Sequence, residues 1–323
     1  MNLKISVIIP CYNGFRYMKR CLESFEKQTV KPYEIIIADD CSTDDSFERL
    51  KEYAENSKLN FVIIRNEKNM GPGIARKNAV DVSGGDYIAF CDCDDWFETD
   101  FIQIITENIN KHNADVLMFD SYYTYDDRKI VSNPVKKLSA GNKNEILANI
   151  DMSLCKTVVK KQILTGIEFP ALYHGEDGAV VPQIIANSES FILIDKPLYN
   201  YYYRTGSASQ KLSDKAAFDM VEAFKTVQRN LPRKYFAECE FIGIKYVCYG
   251  AVLSGFKSGI KTKDIKNILN DFEKDFPDWI NNKYIRNLGK IKNIYLILLK
   301  KRMFIPVKLM TSLHGFYISV RRK

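Results

Sequence analysis

From Trp279 to Lys323 the chain carries no aspartate or glutamate, while the same stretch holds 11 lysines and arginines. Against a formal net charge of +7 for all 323 residues, that leaves the first 278 at −4. A mildly acidic body followed by a basic tail points to an anionic partner. The Gly-x-Gly-x-x-Gly fingerprint is missing, which disfavours a dinucleotide-dependent oxidoreductase. The eight cysteines, at 11, 21, 41, 91, 93, 155, 239 and 248, form no Cys-x-x-Cys pair. Structural zinc is therefore disfavoured. Most of these cysteines lie in apolar segments, as small hydrophobes of a reducing compartment do. No run approaches the ~20 apolar residues that span a bilayer. The opening Lys4–Pro10 segment is too short for a signal peptide and reads as a buried strand. The expectation is a cytoplasmic protein without repeats or low-complexity tracts.

What is present begins as an alternation of strand and helix. Ile5–Ile9 is an apolar, β-branched run, followed by Phe15, Met18, Cys21, Leu22 and Phe25 at helical spacing. Glu34–Ala38 reads as a second strand ending at Asp39-Asp40. Ser42 and Thr43 are placed to cap a helix carrying Phe47 and Leu50. Phe61–Ile64 is a third strand, and a helix runs from Gly71-Pro72-Gly73 to Val82. Tyr87–Cys91 is a fourth strand, a helix follows near Phe101–Ile109, and Val116–Phe119 is a fifth strand. Tyr125 to Asn144 reads as a hairpin or loop. Shorter elements fall near Thr157–Val159, Ala179–Ala186, Phe191–Ile194 and Leu198–Tyr203, and the chain is helical from Ser213 on. Crossovers of this kind imply an α/β fold with a mostly parallel central sheet and helices on both faces. A domain of residues 1–212 would carry it, ahead of a smaller helical region, 213–323. Ligands bind at the carboxyl ends of such strands. The polar clusters Tyr12-Asn13, Asp39-Asp40, Arg65-Asn66 and Asp92–Asp95 fall there.

The sharpest feature is Tyr87-Ile88-Ala89-Phe90-Cys91-Asp92-Cys93-Asp94-Asp95-Trp96, an apolar strand running straight into carboxylates. If the chain stays extended, Asp92 and Asp94 project to one side and Cys91 and Cys93 to the other. Two convergent oxygen donors suit Mn²⁺ or Mg²⁺. An acidic strand end on a solvated edge is the competing explanation. The companions decide between them. Ser6–Asn13, Glu34–Asp44, Asn69–Asn78, Gly84–Trp96, Gly175-Glu176-Asp177 and Tyr203-Arg204-Thr205-Gly206-Ser207 occur in order over residues 3 to 210. Together they resemble family 2 glycosyltransferases with the GT-A fold, as in bacterial surface-polysaccharide enzymes.

The resemblance implies roles. Pro10, Tyr12 and Asp40 would line the base and ribose pocket, the Asp40 carboxylate accepting from a pyrimidine ring and Asp39 sharing that role. Arg76 would lie near the base or diphosphate, and Cys93 within the donor-binding segment. Asp92 would reach ribose or metal, and Asp94 would be the main metal ligand. Arg204 and Ser207 would touch the diphosphate, and Trp96 the acceptor or sugar. Asp177 would be the catalytic base and Glu176 would hold the acceptor or a loop, giving inversion at the anomeric carbon. Neighbours at a helix start diverge by about 100°, so the two acids should not share a job. Bland alternatives stay open. Glu176-Asp177 and Asp39-Asp40 also suit helix N-termini, Gly71-Pro72-Gly73 a turn, and Tyr201–Tyr203 strand packing. Cys41 departs from the usual glycine, and no histidine follows Asp177 at a ligand spacing, His174 being the only one near a motif.

In the tail, Lys283, Arg286, Lys290, Lys292, Lys300, Lys301, Arg302 and Lys308 interleave with apolar residues. That pattern suits peripheral contact with an anionic membrane; a solvated helix face or a dimer contact would produce it too. The function expected is a metal-dependent transferase. It would move a sugar from a nucleotide-sugar donor, UDP favoured by the resemblance, to a saccharide or lipid-linked glycan at the inner membrane's cytoplasmic face. No nucleic-acid partner is expected. A sugar nucleotidyltransferase lacks its Gly-rich phosphate loop here. A non-catalytic binding protein is opposed by the intact Asp92, Asp94, Glu176 and Asp177.

Overall fold

The computed structural model describes residues 3–132, 142–204 and 213–321, of which 314–321 are described by backbone alone. The chain divides into two compact units, 1–205 and 206–323. Ser207 and the expected boundary at residue 212 lie outside the described residues.

Among the described residues the first unit has nine strands: β1 Ile5–Cys11, β2 Glu34–Asp39, β3 Phe61–Arg65, β4 Tyr87–Phe90, β5 Trp96–Phe97, β6 Val116–Thr124, β7 Lys129–Ser132, β8 Thr157–Lys160 and β9 Phe191–Tyr202. Their order is β3-β2-β1-β4-β8-β6-β9-β5, with β7 paired to β6. The strands β3, β2, β1 and β4 are mutually parallel. β1 and β2 are buried along their whole length, as central parallel strands covered on both faces must be, which is why they read as nearly continuous apolar runs; the polar Ser6 donates to Glu34 at 2.6 Å. Beyond β4 the sheet is mixed: β8 runs antiparallel to β4 and β6, and β9 parallel to β6.

Helices α1 Lys19–Glu26, α2 Ser46–Asn56, α3 Pro72–Val82 and α4 Phe101–His112 connect these strands, followed by α5 Lys143–Asn149 and α6 Glu176–Asn187. Several boundaries differ from expectation. Ser42 and Thr43 do not cap α2; its N-cap is Asp45, and both residues bond to Asn13 instead. β4 stops at Phe90, one residue early, so the carboxylate motif leaves the sheet before Cys91. The strand after it is Trp96–Phe97, too short to leave a periodic signal. It is held by its side chains: Phe97 stacks on Phe101 at 3.7 Å and meets Phe25, Phe119 and Tyr199 edge-on. β9 is one strand despite Pro197, tolerated where its register against β6 is irregular. Tyr201 packs edge-on against Tyr123 of β6, in line with the strand-packing alternative.

The second unit is helical: α7 Asp214–Asn230, α8 Phe236–Gly243, a π-helical segment Ile244–Ala251, α9 Val252–Ser258, α10 Thr262–Asp275, α11 Lys290–Lys300 and α12 Phe304–Arg321. Ser213 caps α7 by accepting from Ala216 N. Trp279, fully buried, and Phe224, Phe241 and Phe272 fill the core. The continuous helix Arg233–Ser258 is by length and composition apolar enough to cross a bilayer, contrary to the expectation that no stretch comes near. Its most apolar window is 61% buried within the protein, as for a core helix. The tail's cations are also less available than the sequence implies. Lys300 and Arg302 both bind Glu273, and Lys283 binds the buried Glu238.

Candidate active site

The carboxyl ends of β2, β1 and β4 lie side by side, and α3 and α6 begin beside them. At β2, Asp39 and Asp40, expected to share the base pocket, have different partners. Asp40 is 3% exposed, and its carboxylate accepts from Asn66 Nδ2, Met70 N and Gly71 N, at 2.7–3.2 Å. It therefore clamps the loop before α3 and has little capacity left for a pyrimidine ring. Asp39 is fully buried; its Oδ2 accepts from Ser42 N and pairs with Arg65, while its Oδ1 has no hydrogen-bond partner. A buried acceptor without a donor is costly unless a ligand supplies one. Tyr12, at the end of β1, is 46% exposed and presents its ring. Pro10 is instead buried within β1, beside Ala38 of β2.

The loop after β2 is pinned by a residue missing from the sequence-derived site. Asn13, at φ 49°, accepts from Thr43 N and Asp44 N through Oδ1, and its own N–H donates to Ser42 Oγ. Asn favours this left-handed conformation, and the signal was its place two residues after a buried strand. Cys41 also sits there, at φ 61°. That is where glycine is at ease and a Cβ costs roughly 1–2 kcal/mol, part of which glycine loses again in unfolded-chain entropy. Cys41→Gly should therefore stabilise the fold by up to about 1 kcal/mol. Thermal unfolding checks this; a lower melting temperature would show that the bond from Cys41 Sγ to Glu67 O, at 3.6 Å, outweighs the strain.

The centre of the site is Arg76 on α3. It is 2% exposed. Nη2 binds Asp92 Oδ1 at 2.6 Å, and Nη1 binds both Glu176 Oε1 at 2.8 Å and Asp177 Oδ1 at 3.2 Å. Arg76, expected near the base or diphosphate, gathers three carboxylates. The two acids of α6, expected to diverge, meet at one nitrogen because the guanidinium reaches between them. Asp177 is held a second time, by Leu154 N at 3.1 Å. Burial pushes its carboxyl up to about 7, against the lowering pull of Arg76 and with the charges of Glu176 and Asp92 adding to the rise. Two glycines permit this approach. Gly71 takes φ 88°, and a Cβ there would stand 2.4 Å from Leu172 O; at Gly73 one would stand 2.6 Å from Pro170 O. The Gly71-Pro72-Gly73 turn thus brings α3 against the segment leading to Glu176.

The motif Asp92–Asp95 is a turn, not an extended strand: Asp95 N donates to Asp92 O. Alternation of side chains therefore fails as the reason Asp92 and Asp94 lie together. Asp94 Oδ2 accepts from Arg204 Nη2 at 3.2 Å, and that guanidinium lies 3.7 Å above the Tyr17 ring. Burial and then the Asp92 charge push the Asp94 carboxyl above its usual range, against Arg204. Cys93 packs inward: its sulfur and that of Cys11 would stand 2.9 and 3.1 Å from a Cβ at Gly14. Asp95, which the sequence reading left without a role, is buried and accepts from Tyr199 Oη at 2.5 Å and Tyr202 N at 2.7 Å, tying the turn to β9. Trp96 borders a separate open hollow of about 290 Å³ that includes Arg20 and Lys129.

Among the described residues no group of three His, Cys, Asp or Glu could hold a metal ion. The pair that remains still fits a hard divalent cation. Asp92 and Asp94 are oxygen donors whose like charges raise the Asp94 carboxyl, and a cation between them relieves that repulsion. Mg²⁺ characteristically takes one or two carboxylates and fills its other positions with water and phosphate oxygens.

Comparison with known proteins gives the family. Residues 6–174 match the family described as glycosyl transferase family 2. Glycosyltransferase GlyA of Streptococcus pneumoniae is 30% identical over 240 residues, 68% of this chain and 33% of its own. The poly(ribitol-phosphate) beta-N-acetylglucosaminyltransferase TarS of Staphylococcus aureus is 28% identical over 235 residues, 70% of this chain and 39% of its own. The chain thus spans well under half of either relative. A crystal structure of part of S. aureus TarS in complex with UDP-GlcNAc has a similar fold, with a TM-score of 0.75 at 22% identity, covering 97% of this chain and 92% of that one.

Proposed function

The chain belongs to glycosyl transferase family 2, and on that premise we propose that it moves a sugar from a nucleoside-diphosphate sugar to a hydroxyl of a saccharide or lipid-linked glycan. The reaction inverts the anomeric carbon and serves surface-polysaccharide synthesis on the cytoplasmic face of a membrane. The observation that carries this reading is the gathering of Asp92, Glu176 and Asp177 on one buried guanidinium beside Asp94 and Arg204.

The donor's base is recognised by Asp39, whose unpartnered Oδ1 accepts a ring N–H, while Tyr12 offers a face for stacking. Uracil, thymine and guanine carry such an N–H and cytosine does not; among them UDP is the nucleotide proposed, and UDP-GlcNAc the first sugar to try, in view of TarS. Asp94, with Asp92, would hold a divalent cation against the diphosphate, where it supplies Lewis-acid neutralisation of the leaving group. Arg204 adds a fixed positive charge on the same side. Asp177 takes the proton of the acceptor hydroxyl. The acceptor oxygen bonds to the anomeric carbon as the bond to phosphate breaks, and the nucleoside diphosphate departs with the electron pair. Arg76 keeps the base ionised enough to act and fixes its direction. Glu176, bound to the same nitrogen, holds Arg76 rather than the acceptor.

Slow release of nucleoside diphosphate from a panel of nucleotide sugars tests this. Wild type should hydrolyse one donor only with Mn²⁺ or Mg²⁺ present, and Asp94→Ala should not. Release equal with and without metal, or retained in Asp94→Ala, would remove Asp94 from the leaving-group role. Asp39→Asn should weaken UDP binding about tenfold or more, since an amide still accepts but loses the charge that strengthens the bond. Calorimetric titration checks it; unchanged affinity would return base recognition to another residue.

A further inference from the structure

Helices α11 and α12 leave apolar faces uncovered. On α11, Tyr295, Leu296 and Leu299 point into the second unit, while Ile291, Ile294 and Ile297 are 75%, 53% and 46% exposed. On α12, Val307 is buried, while Ile305 and Leu309 are 77% and 62% exposed, and Leu313 follows on the same stripe. Met303 stands exposed in the turn between the helices. Burying so much aliphatic surface in water's place is favourable, so a face of this kind signals a partner.

The surrounding charge says which partner. Lys290, Ile294 and Ile297 fall at i, i+4 and i+7, a single line along one helix face, and Lys301 is the C-cap just beyond its end. Lys290 and Lys301 therefore bracket the isoleucines, and Lys308 flanks Ile305 and Leu309 in the same way. These three lysines are exposed and make no ion pair among the described residues, unlike Lys283, Lys300 and Arg302, which acidic residues of the core engage. No acidic residue occurs from position 279 onward, so neither α11 nor α12 itself carries a charge that repels an anion. Exposed aliphatics flanked by lysines without ion pairs, Lys308 lying over the Phe256 ring at 5.2 Å, match the boundary of an anionic bilayer, where apolar side chains enter the acyl region and ammonium groups meet headgroup phosphates.

We propose that the exposed faces of α11 and α12 form a docking surface for an anionic phospholipid membrane, with Ile294, Ile297, Ile305 and Leu309 inserting and Lys290, Lys301 and Lys308 holding headgroups. This deepens the proposed placement at a membrane and rests on that placement alone. Donor chemistry in the first unit does not depend on it, so the two stand or fall separately.

The test is co-sedimentation of the full chain with vesicles of phosphatidylcholine alone and of phosphatidylcholine mixed with phosphatidylglycerol. UDP binding is titrated in the same preparations. The chain should bind the mixed vesicles, bind neutral ones far more weakly, and be released by high salt. Lys290→Glu with Lys301→Glu should lower the vesicle partition by at least about twenty-five-fold, at roughly five-fold for each lost cation. Ile294→Asp with Ile305→Asp should abolish binding even at low salt. All these positions are exposed, and the lipid and salt dependence of the wild type needs no variant at all. Equal binding to neutral and anionic vesicles, or none to either, would overturn the proposal. So would wild-type self-association, seen by sedimentation velocity, that both aspartates disrupt while vesicle binding persists. That result would assign the face to a second copy of the chain. UDP affinity unchanged in either variant set would show that the site remains folded.

Discussion

Asp177→Asn should lower kcat by about 10²–10⁴-fold while leaving donor affinity unchanged, since this is the usual contribution of a positioned general base. Asparagine keeps the side chain's shape, but its one amide oxygen can accept from Leu154 N or from Arg76 Nη1 and not from both, so unchanged donor affinity is the check that the site stays folded. The pH profile separates catalysis from structure. With the Asp177 carboxyl pushed up to about 7 by burial, wild-type kcat/KM should rise tenfold per pH unit below about 7 and level off above it. The base is active only once its proton is lost, so the limb lies on the acid side; in Asp177→Asn it should vanish. If Asp177 merely favours the helix N-terminus of α6, the substitution would cost about 1 kcal/mol of stability or less and leave kcat intact.

The other large effect is at Arg76. Arg76→Met removes the one cation that Asp92, Glu176 and Asp177 share, and breaking a buried ion pair by deleting one partner typically costs about 3–5 kcal/mol. Denaturant unfolding measures it. The deficit should depend on pH in a fixed direction. Arg76 lowers the Asp177 carboxyl, so its loss moves that pKa still higher. A carboxyl raised in the folded state contributes stability that is present below its unfolded value and is lost as pH rises through the folded one. Arg76→Met should thus be least stable above neutrality and partly recover in acid. Any residual activity should show its acid limb moved to higher pH. Arg76→Lys keeps the charge but not the fork, and should retain most stability while losing the alignment of Asp177. A loss below about 1 kcal/mol in Arg76→Met would mean that the carboxylates are already neutral in the resting protein.

The parallel half of the sheet was legible because it obeys one rule. β1, β2 and β4 are buried on both faces, so their residues are mostly apolar and stop abruptly at polar ends. That abruptness drew attention to Asp39-Asp40 and Asp92–Asp95. The antiparallel half was harder. Trp96–Phe97 is two residues long and held by an aromatic cluster that no periodicity reports, and β9 runs on through Pro197 because a register irregularity accommodates it. Within the site, residue types were readable but their partners were not. Asp39 and Asp40 are chemically identical in sequence; which one is consumed by Met70 N and Gly71 N depends on a loop 30 residues on. Arg76 could be read as a donor-binding cation. Only the fold brings it to α6, 100 residues away, and the glycines at 71 and 73 that allow this resemble an ordinary turn.

The most direct test of the central claim is calorimetric titration of UDP and UDP-GlcNAc into wild type and Asp94→Ala, each with and without Mn²⁺. If Asp94 joins the diphosphate to a cation at the end of β4, Mn²⁺ should tighten wild-type binding at least about tenfold. In Asp94→Ala that gain should disappear, with the weaker metal-free binding to Asp39 and Tyr12 retained. Binding by neither nucleotide under any condition, or a metal effect undiminished in Asp94→Ala, would contradict it.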